Sequence, residues 1–158
     1  MNWKQELAAE ITAIDGLNAN PATLTYRIND QGGFFGGLDK IIAIPRQITV
    51  KAPEPVSERY VDGTERKSGD FTCVVDFAQL KAAHEPQNAD PEITINRVPK
   101  RLEDVRPFNA QIGNNIRWGV DIGDDTLTIG GDVWLIVGVE AIDWLDGEPA
   151  KFRLILRK

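Results

Sequence analysis

Residues 127–158 read LTIGGDVWLIVGVEAIDWLDGEPAKFRLILRK, and their punctuation decides the fold class. Leu127 and Ile129 run into Gly130-Gly131, which leads from one strand to the next. Val133, Leu135, Val137 and Val139 then recur with period two, the spacing that places side chains on one face of a strand. Asp146-Gly147 is a dipeptide of the tight-hairpin type. Phe152, Leu154 and Leu156 follow, alternating with Arg153, Ile155 and Arg157.

Working outward, Ile116, Trp118, Val120 and Ile122 alternate with Arg117, Gly119 and Asp121, predicting one more strand. We therefore expect Trp118, Val120, Val133, Val137, Phe152 and Leu154 in one β core. Phe71, Cys73, Val75 and Phe77 alternate in the same way, with room for one helical turn over Ala78–Ala83. Leu24, Tyr26 and Ile28 predict a half-buried strand. Ile41–Lys51 is a β-branched run interrupted by Pro45, hence an edge strand or two short pieces. Trp3, Leu7, Ile11 and Ile14 draw a helical stripe, predicting a helix over 2–14 that Asn2 caps and Gly16 ends. One helix and many short strands give a mainly β fold, a small β-barrel or sandwich with an N-terminal amphipathic helix and long loops. The expected organisation is a single domain over 1–158. Its β core covers about 22–83 and 115–158, with an extended insertion over about 84–114. Residues 52–69 and 84–91 read as polar, Pro-bounded loops. The charge of Arg97–Pro107, with Pro99 and Pro107, predicts an arm without a regular element of its own, ordered on binding.

With 158 residues, the chain has a true core available. It carries 18 lysines and arginines against 24 aspartates and glutamates, a formal net charge of −6. This argues against a broad phosphate-gripping surface. No apolar run is long enough to span a membrane. The first residues, Met-Asn-Trp-Lys-Gln-Glu, are amphipathic rather than signal-like, so synthesis in a reducing cytoplasm is expected.

The search for chemistry starts from a single cysteine and a single histidine. Cys73 lies on an apolar strand face and reads as a buried hydrophobe. His84 sits in a polar stretch before Pro86 and reads as solvated. Asp121, Asp124, Asp125 and Asp132 gather carboxylates but lack the spacing of a calcium loop, so they read as turn aspartates. Neither Gly130-Gly131 nor the glycines at 32–37 open a helix, as a nucleotide loop requires. We expect no enzyme activity, no catalytic residue, no cofactor and no metal. Two features point instead to partners. Gly32-Gly33-Phe34-Phe35-Gly36-Gly37 sets two large aromatics between flexible pairs. Arg97, Lys100, Arg101 and Arg106 form a basic group suited to a neighbouring subunit or to local nucleic-acid contact.

Gly123-Asp124-Asp125-Thr126-Leu127-Thr128-Ile129-Gly130, the strand that follows it, the Asp146-Gly147 hairpin and the arginine-bearing final strand together resemble the C-terminal signature of head-closure proteins, the head–tail joining or stopper proteins of tailed bacteriophages. Ser68-Gly69-Asp70-Phe71-Thr72 and Leu80-Lys81-Ala82-Ala83 are similar to that family's middle strand and the short segment after it. Trp134 stands where the family has a tyrosine, and the stretch from about Arg97 to Asp121 looks like an insertion. The resemblance implies a structural protein of the virion neck, made in the host cytoplasm. It implies a homo-oligomeric ring beneath the portal and adaptor proteins, retaining packaged DNA without sequence preference and docking the tail proteins. A tail-completion or tail-terminator ring subunit, or a β-barrel binding a ligand or oligonucleotide, are the other readings. Among these partners Phe34, Phe35, Arg97, Lys100, Arg101 and Arg106 are the expected contacts.

Overall fold

The computed structural model describes residues 3–5, 19–30, 40–55, 60–61, 64–65, 70–85, 93–95, 97–109, 111–112 and 115–158. In chain order the strands are β1 (Ala19–Asp30), β2 (Lys40–Lys51), β3 (Glu54–Pro55), β4 (Tyr60–Val61), β5 (Thr64–Glu65), β6 (Phe71–Asp76), β7 (Ile93–Ile95), β8 (Val98–Lys100), β9 (Gln111–Ile112), β10 (Asn115–Ile116), β11 (Thr126–Ile129), β12 (Asp132–Leu145) and β13 (Glu148–Arg157). Helices cover Phe77–His84 and Leu102–Val105. Of the helix expected over 2–14, Trp3–Gln5 are helical and the rest lies outside the described residues.

Seven strands make one antiparallel sheet in the order β2-β1-β11-β12-β13-β6-β3, and β4–β5, β7–β8 and β9–β10 are separate two-stranded pairs. The fold is mainly β, as the hydrophobic period requires, but the sheet is not closed into a barrel. A side chain and a helix occupy the place of a closing strand. The Thr49 N–H of edge strand β2 donates to Gln79 Oε1 at 3.2 Å, and Gln79 Nε2 donates to Thr49 Oγ1 at 2.8 Å. Arg46 Nε of β2 donates to the Ala83 carbonyl at 2.8 Å. The Phe77–His84 helix thus meets the outward Thr49 N–H of β2 and anchors its Arg46 side chain, and Pro45, exposed in the same strand, brings no N–H to that edge.

Both expected C-terminal turns are present. Gly130, Gly131, Asp146 and Gly147 have φ of 57°, 88°, 51° and 86°, the left-handed values such tight turns use. The parity of β12 differs from the reading of its sequence. The register skips between Ile136, opposite Leu156, and Gly138, opposite Ile155, so Val137 is a β-bulge. Trp134 and Ile136 face the main core before it, and Val139 and Ala141 after it. Val133, expected in the core, is 58% exposed. Val137 is buried with Leu135 and Ile155 in a second small cluster apart from the main core. Gly138 faces the Ile155 side chain across this bulge, and a Cβ there would lie 2.5 Å from Ile155 Cδ1, so that side chain would have to shift. Trp118, Val120, Phe152 and Leu154 do share the main core, with Leu24, Tyr26, Leu80, Leu102 and Leu127.

The strand expected over 116–122 is also revised. Only Asn115–Ile116 pair as β10, and turns follow from Trp118. Trp118 and Gly119 have φ of 55° and 75°, which no strand accommodates. Leu154 lies fully buried mid-strand, opposite Val139 on one side and Cys73 on the other. Leu154→Ala should therefore lower stability by about 2–5 kcal/mol, read from the shift in denaturant midpoint at unchanged slope.

Candidate functional site

β1 is twelve residues long, but β11 pairs only with its Ala22–Thr25 portion. Beyond the Thr25–Thr126 rung, the next β1 residue whose backbone groups point away from β2 is Arg27. Two side chains meet them. Asp125 Oδ1 accepts the Arg27 N–H at 2.9 Å, and Arg106 Nη2 donates to the Arg27 carbonyl at 2.6 Å. Arg106 Nη1 donates to Asp125 Oδ2, closing the pair, and to the Gly119 carbonyl at 3.3 Å. Asp125 Oδ2 also accepts the Asp121 N–H at 2.8 Å. The guanidinium lies over the Tyr26 ring, 5.7 Å from its centroid. Asp125 is fully buried. Burial pushes its carboxyl above the usual carboxylate range, while Arg106 and the two backbone donors pull the other way.

The backbone carbonyl of Arg106 is engaged as well, by His84 Nε2 at the end of the Phe77–His84 helix. His84, expected to be solvated, is 0% exposed. It sits four residues after buried Leu80, on the helix face that meets the core. Its ring is edge-on to Tyr26 at 6.1 Å and 5.5 Å from Phe108. Phe108 continues to Phe77 and Trp118, and Trp118 to Phe152 and to Trp144, whose side chain is 54% exposed. Gly119 closes over the histidine, since a Cβ there would lie 2.6 Å from His84 Cδ2.

The basic group of the sequence is thus divided. Arg106 is spent inside the subunit. Arg97 is exposed at the turn between β7 and β8 with φ of 66°. Lys100 is half-buried at the end of β8. Arg101 starts the one-turn helix, where the Asp104 carboxylate accepts its N–H at 3.2 Å, and it pairs with Glu103 at 3.5 Å. The expectation that Arg97–Pro107 lacks regular structure is not met. β8 pairs with β7, and Leu102, the first residue of the helix that follows β8, is fully buried. Phe34 and Phe35 lie outside the described residues. Chain connectivity sets them between Asp30 and Lys40, which pair across the β1–β2 hairpin.

Cys73 is buried, and loss of solvation pushes its thiol up to about 12, which leaves it an inert hydrophobe as expected. Asp121 and Asp125 are joined to Arg106, and Asp132 pairs with Lys158 at 3.1 Å. Among the described residues no group of three or more His, Cys, Asp or Glu side chains is placed to hold a metal ion. Comparison with protein-family models finds none that matches, and comparison with curated proteins finds no significant similarity.

The arrangement of Arg106, Asp125 and His84 is a clamp. It finishes the open edge of β1 and ties to it the turn before β11 and the end of the helix. Asp125→Ala, which leaves Arg106 without its counter-charge, should lower stability by about 3–5 kcal/mol. In a double-mutant cycle with Arg106→Met, the paired loss should fall short of the sum of the single losses by about 0.5–3 kcal/mol. Gly119→Ala should lower stability by more than about 1 kcal/mol, because its positive φ and its contact with the His84 ring both resist a Cβ. Urea titration of each variant checks these values.

Proposed function

We propose that this chain is a structural subunit of a tailed-bacteriophage neck, a head-closure protein that assembles as a ring beneath the portal and adaptor and docks the tail. The resemblance of its C-terminal strands and turns to that family supports the reading. So does a sandwich-like β scaffold with long connections between its strands.

The observation that carries it is the β1–β2 hairpin. Its two strands stay in unbroken register from Ala19–Lys51 to Asp30–Lys40, well past the end of β11. At about 3.4 Å per residue, the stem from Tyr26 to Asp30 reaches about 17 Å beyond the last shared rung. Tyr26, Ile28 and Ile44 are buried along it, so the stem is part of the core, and residues 31–39 join its two strands in the sequence. Phe34 and Phe35, held between glycine pairs, are the contacts we assign to the adjacent subunit or the adaptor ring. Each ring contributes roughly 1.5–3 kcal/mol when buried. Arg97, Lys100 and Arg101 complete the contact set. Arg106 leaves it, because its donors are used within the subunit.

The test is assembly onto purified portal–adaptor complexes, followed by sedimentation and electron microscopy. The wild-type chain should add a ring of density below the adaptor. Phe34→Ser with Phe35→Ser should leave the melting temperature of the free subunit within about 2 °C of wild type and reduce ring formation at least tenfold. Absence of any ring with the wild-type chain, or a large drop in subunit stability with assembly intact, overturns the assignment.

A further inference from the structure

The clamp contains a titratable group that the proposed function does not use. The imidazole of His84, the only histidine of the chain, is fully buried at the junction of three elements. Its Nε2 faces a carbonyl, that of Arg106, and so carries the hydrogen. Nδ1 is then an acceptor. It is buried and meets no donor among the described residues. The cavity therefore fits a neutral ring in one tautomer. The surroundings decide how a second proton is received. From the Leu102–Val105 helix and the residue after it come Glu103 and Arg106. From β1 comes the Tyr26 ring. From β2, Arg46 binds the neighbouring Ala83 carbonyl. On the histidine's own helix are Lys81 and Glu85, paired with each other at 3.8 Å. Asp121 and Asp125 stand behind Arg106 and are engaged by it. The hydrogen bond to the Arg106 carbonyl, and Glu103 and Glu85 through space, favour an imidazolium, whereas the Arg106 guanidinium opposes it. Loss of solvation outweighs the carboxylates and holds His84 below its ordinary value of 6.5.

We propose that His84 is an acid-sensitive latch: protonation of its ring releases the Leu102–Phe108 turn from the end of the Phe77–His84 helix while the sheet stays folded. A proton taken from solvent onto Nδ1 creates an N–H with no acceptor and a cation beside the guanidinium of Arg106. The cavity leaves the ring little room, because a Cβ on Gly119 would lie 2.6 Å from its Cδ2 and the rings of Tyr26 and Phe108 flank it at 6.1 and 5.5 Å. Relief requires the ring to move to water, which gives up the Arg106 carbonyl. The sign follows from linkage. The opened state binds the proton at 6.5 and the closed state only at lower pH. The opening equilibrium therefore rises about tenfold per pH unit as pH falls from 6.5 toward the value of the closed state.

One histidine gives one unambiguous imidazole signal, so the test uses the whole chain labelled at histidine and followed by NMR from pH 8 to 4.5. Amide exchange is measured in parallel and corrected for its intrinsic pH dependence. The reporters are the Arg106 and Glu85 N–H groups, bonded to the Leu102 and Lys81 carbonyls at 2.8 and 3.0 Å. The expected result is an Nε2-protonated neutral ring at pH 7. Protonation should begin only below 6.5, in step with a tenfold rise per pH unit in reporter exchange, with the β12–β13 ladder unchanged. His84→Gln, which keeps a neutral donor, should flatten the reporter profile. Titration at 6.5 without a change in exchange, an identical profile in His84→Gln, or simultaneous exchange of the β12–β13 ladder overturns the latch. If the variant does not fold, coincidence or separation of the two wild-type curves decides.

Discussion

A carboxylate and a guanidinium stand in for a missing strand. β11 ends at the Thr25–Thr126 rung, two residues short of Arg27, and β1 continues. Tyr26 beside it is fully buried, and Arg27, itself exposed, has its N–H and carbonyl met by side chains instead of a strand. Asp125 supplies the acceptor and Arg106 the donor, and each neutralises the other's buried charge. Neither residue serves β1 alone. Asp125 also fixes the turn at Asp121, Arg106 fixes Gly119, and the backbone of Arg106 receives His84. The junction of helix, turn and hairpin stem is therefore one hydrogen-bonded unit, and moving any part exposes groups in the others.

The same solution recurs across the sheet. Asp70, buried just before β6, accepts a two-pronged contact from Arg157 at the end of β13, at 2.9 and 2.8 Å. Bidentate arginine–carboxylate geometry fixes orientation as well as distance, which a lysine would not. Both pairs sit at the end of a strand, where the ladder would otherwise fray. The cross-strand pair of Glu140 with Arg153, half-exposed at 3.1 Å, lies within a continuous ladder and has no such task.

What was legible in the sequence follows from what has a local cause. The two C-terminal turns need residues that accept positive φ, and glycine and aspartate stand there to be read. Strand existence was legible from period two, and Pro45 marked an edge. Strand parity in β12 was not. From Trp134 to Val139 every residue is apolar or glycine, so a one-residue bulge leaves no break in the pattern. At 116–122 alternation misled, because Trp118 and Val120 are buried from a turn rather than a strand. His84 did carry a signal: four residues after Leu80 on a helix places it on the buried face. Arg106 and Asp125 carried none. Each sits in a charged stretch of the kind usually solvated, and folding alone brings them together across nineteen positions.

The clamp also bears on how the hairpin meets a partner. Ordering a chain segment on binding costs about 1–2 kcal/mol per residue of backbone freedom. A stem that frayed beyond Thr25 would put that loss on every association event. Here the loss is borne during folding, because Arg27 is held on both backbone groups and Tyr26, Ile28 and Ile44 are buried. In the proposed assembly the contact falls on the connection between Asp30 and Lys40, which carries Phe34 and Phe35. Gly32-Gly33 and Gly36-Gly37 flank the two phenylalanines, and glycine accepts backbone conformations that other residues resist. In the proposed assembly the Arg106–Asp125 pair would thus set how much freedom a partner must remove from the stem, and preorganisation of this kind tightens binding without adding a contact.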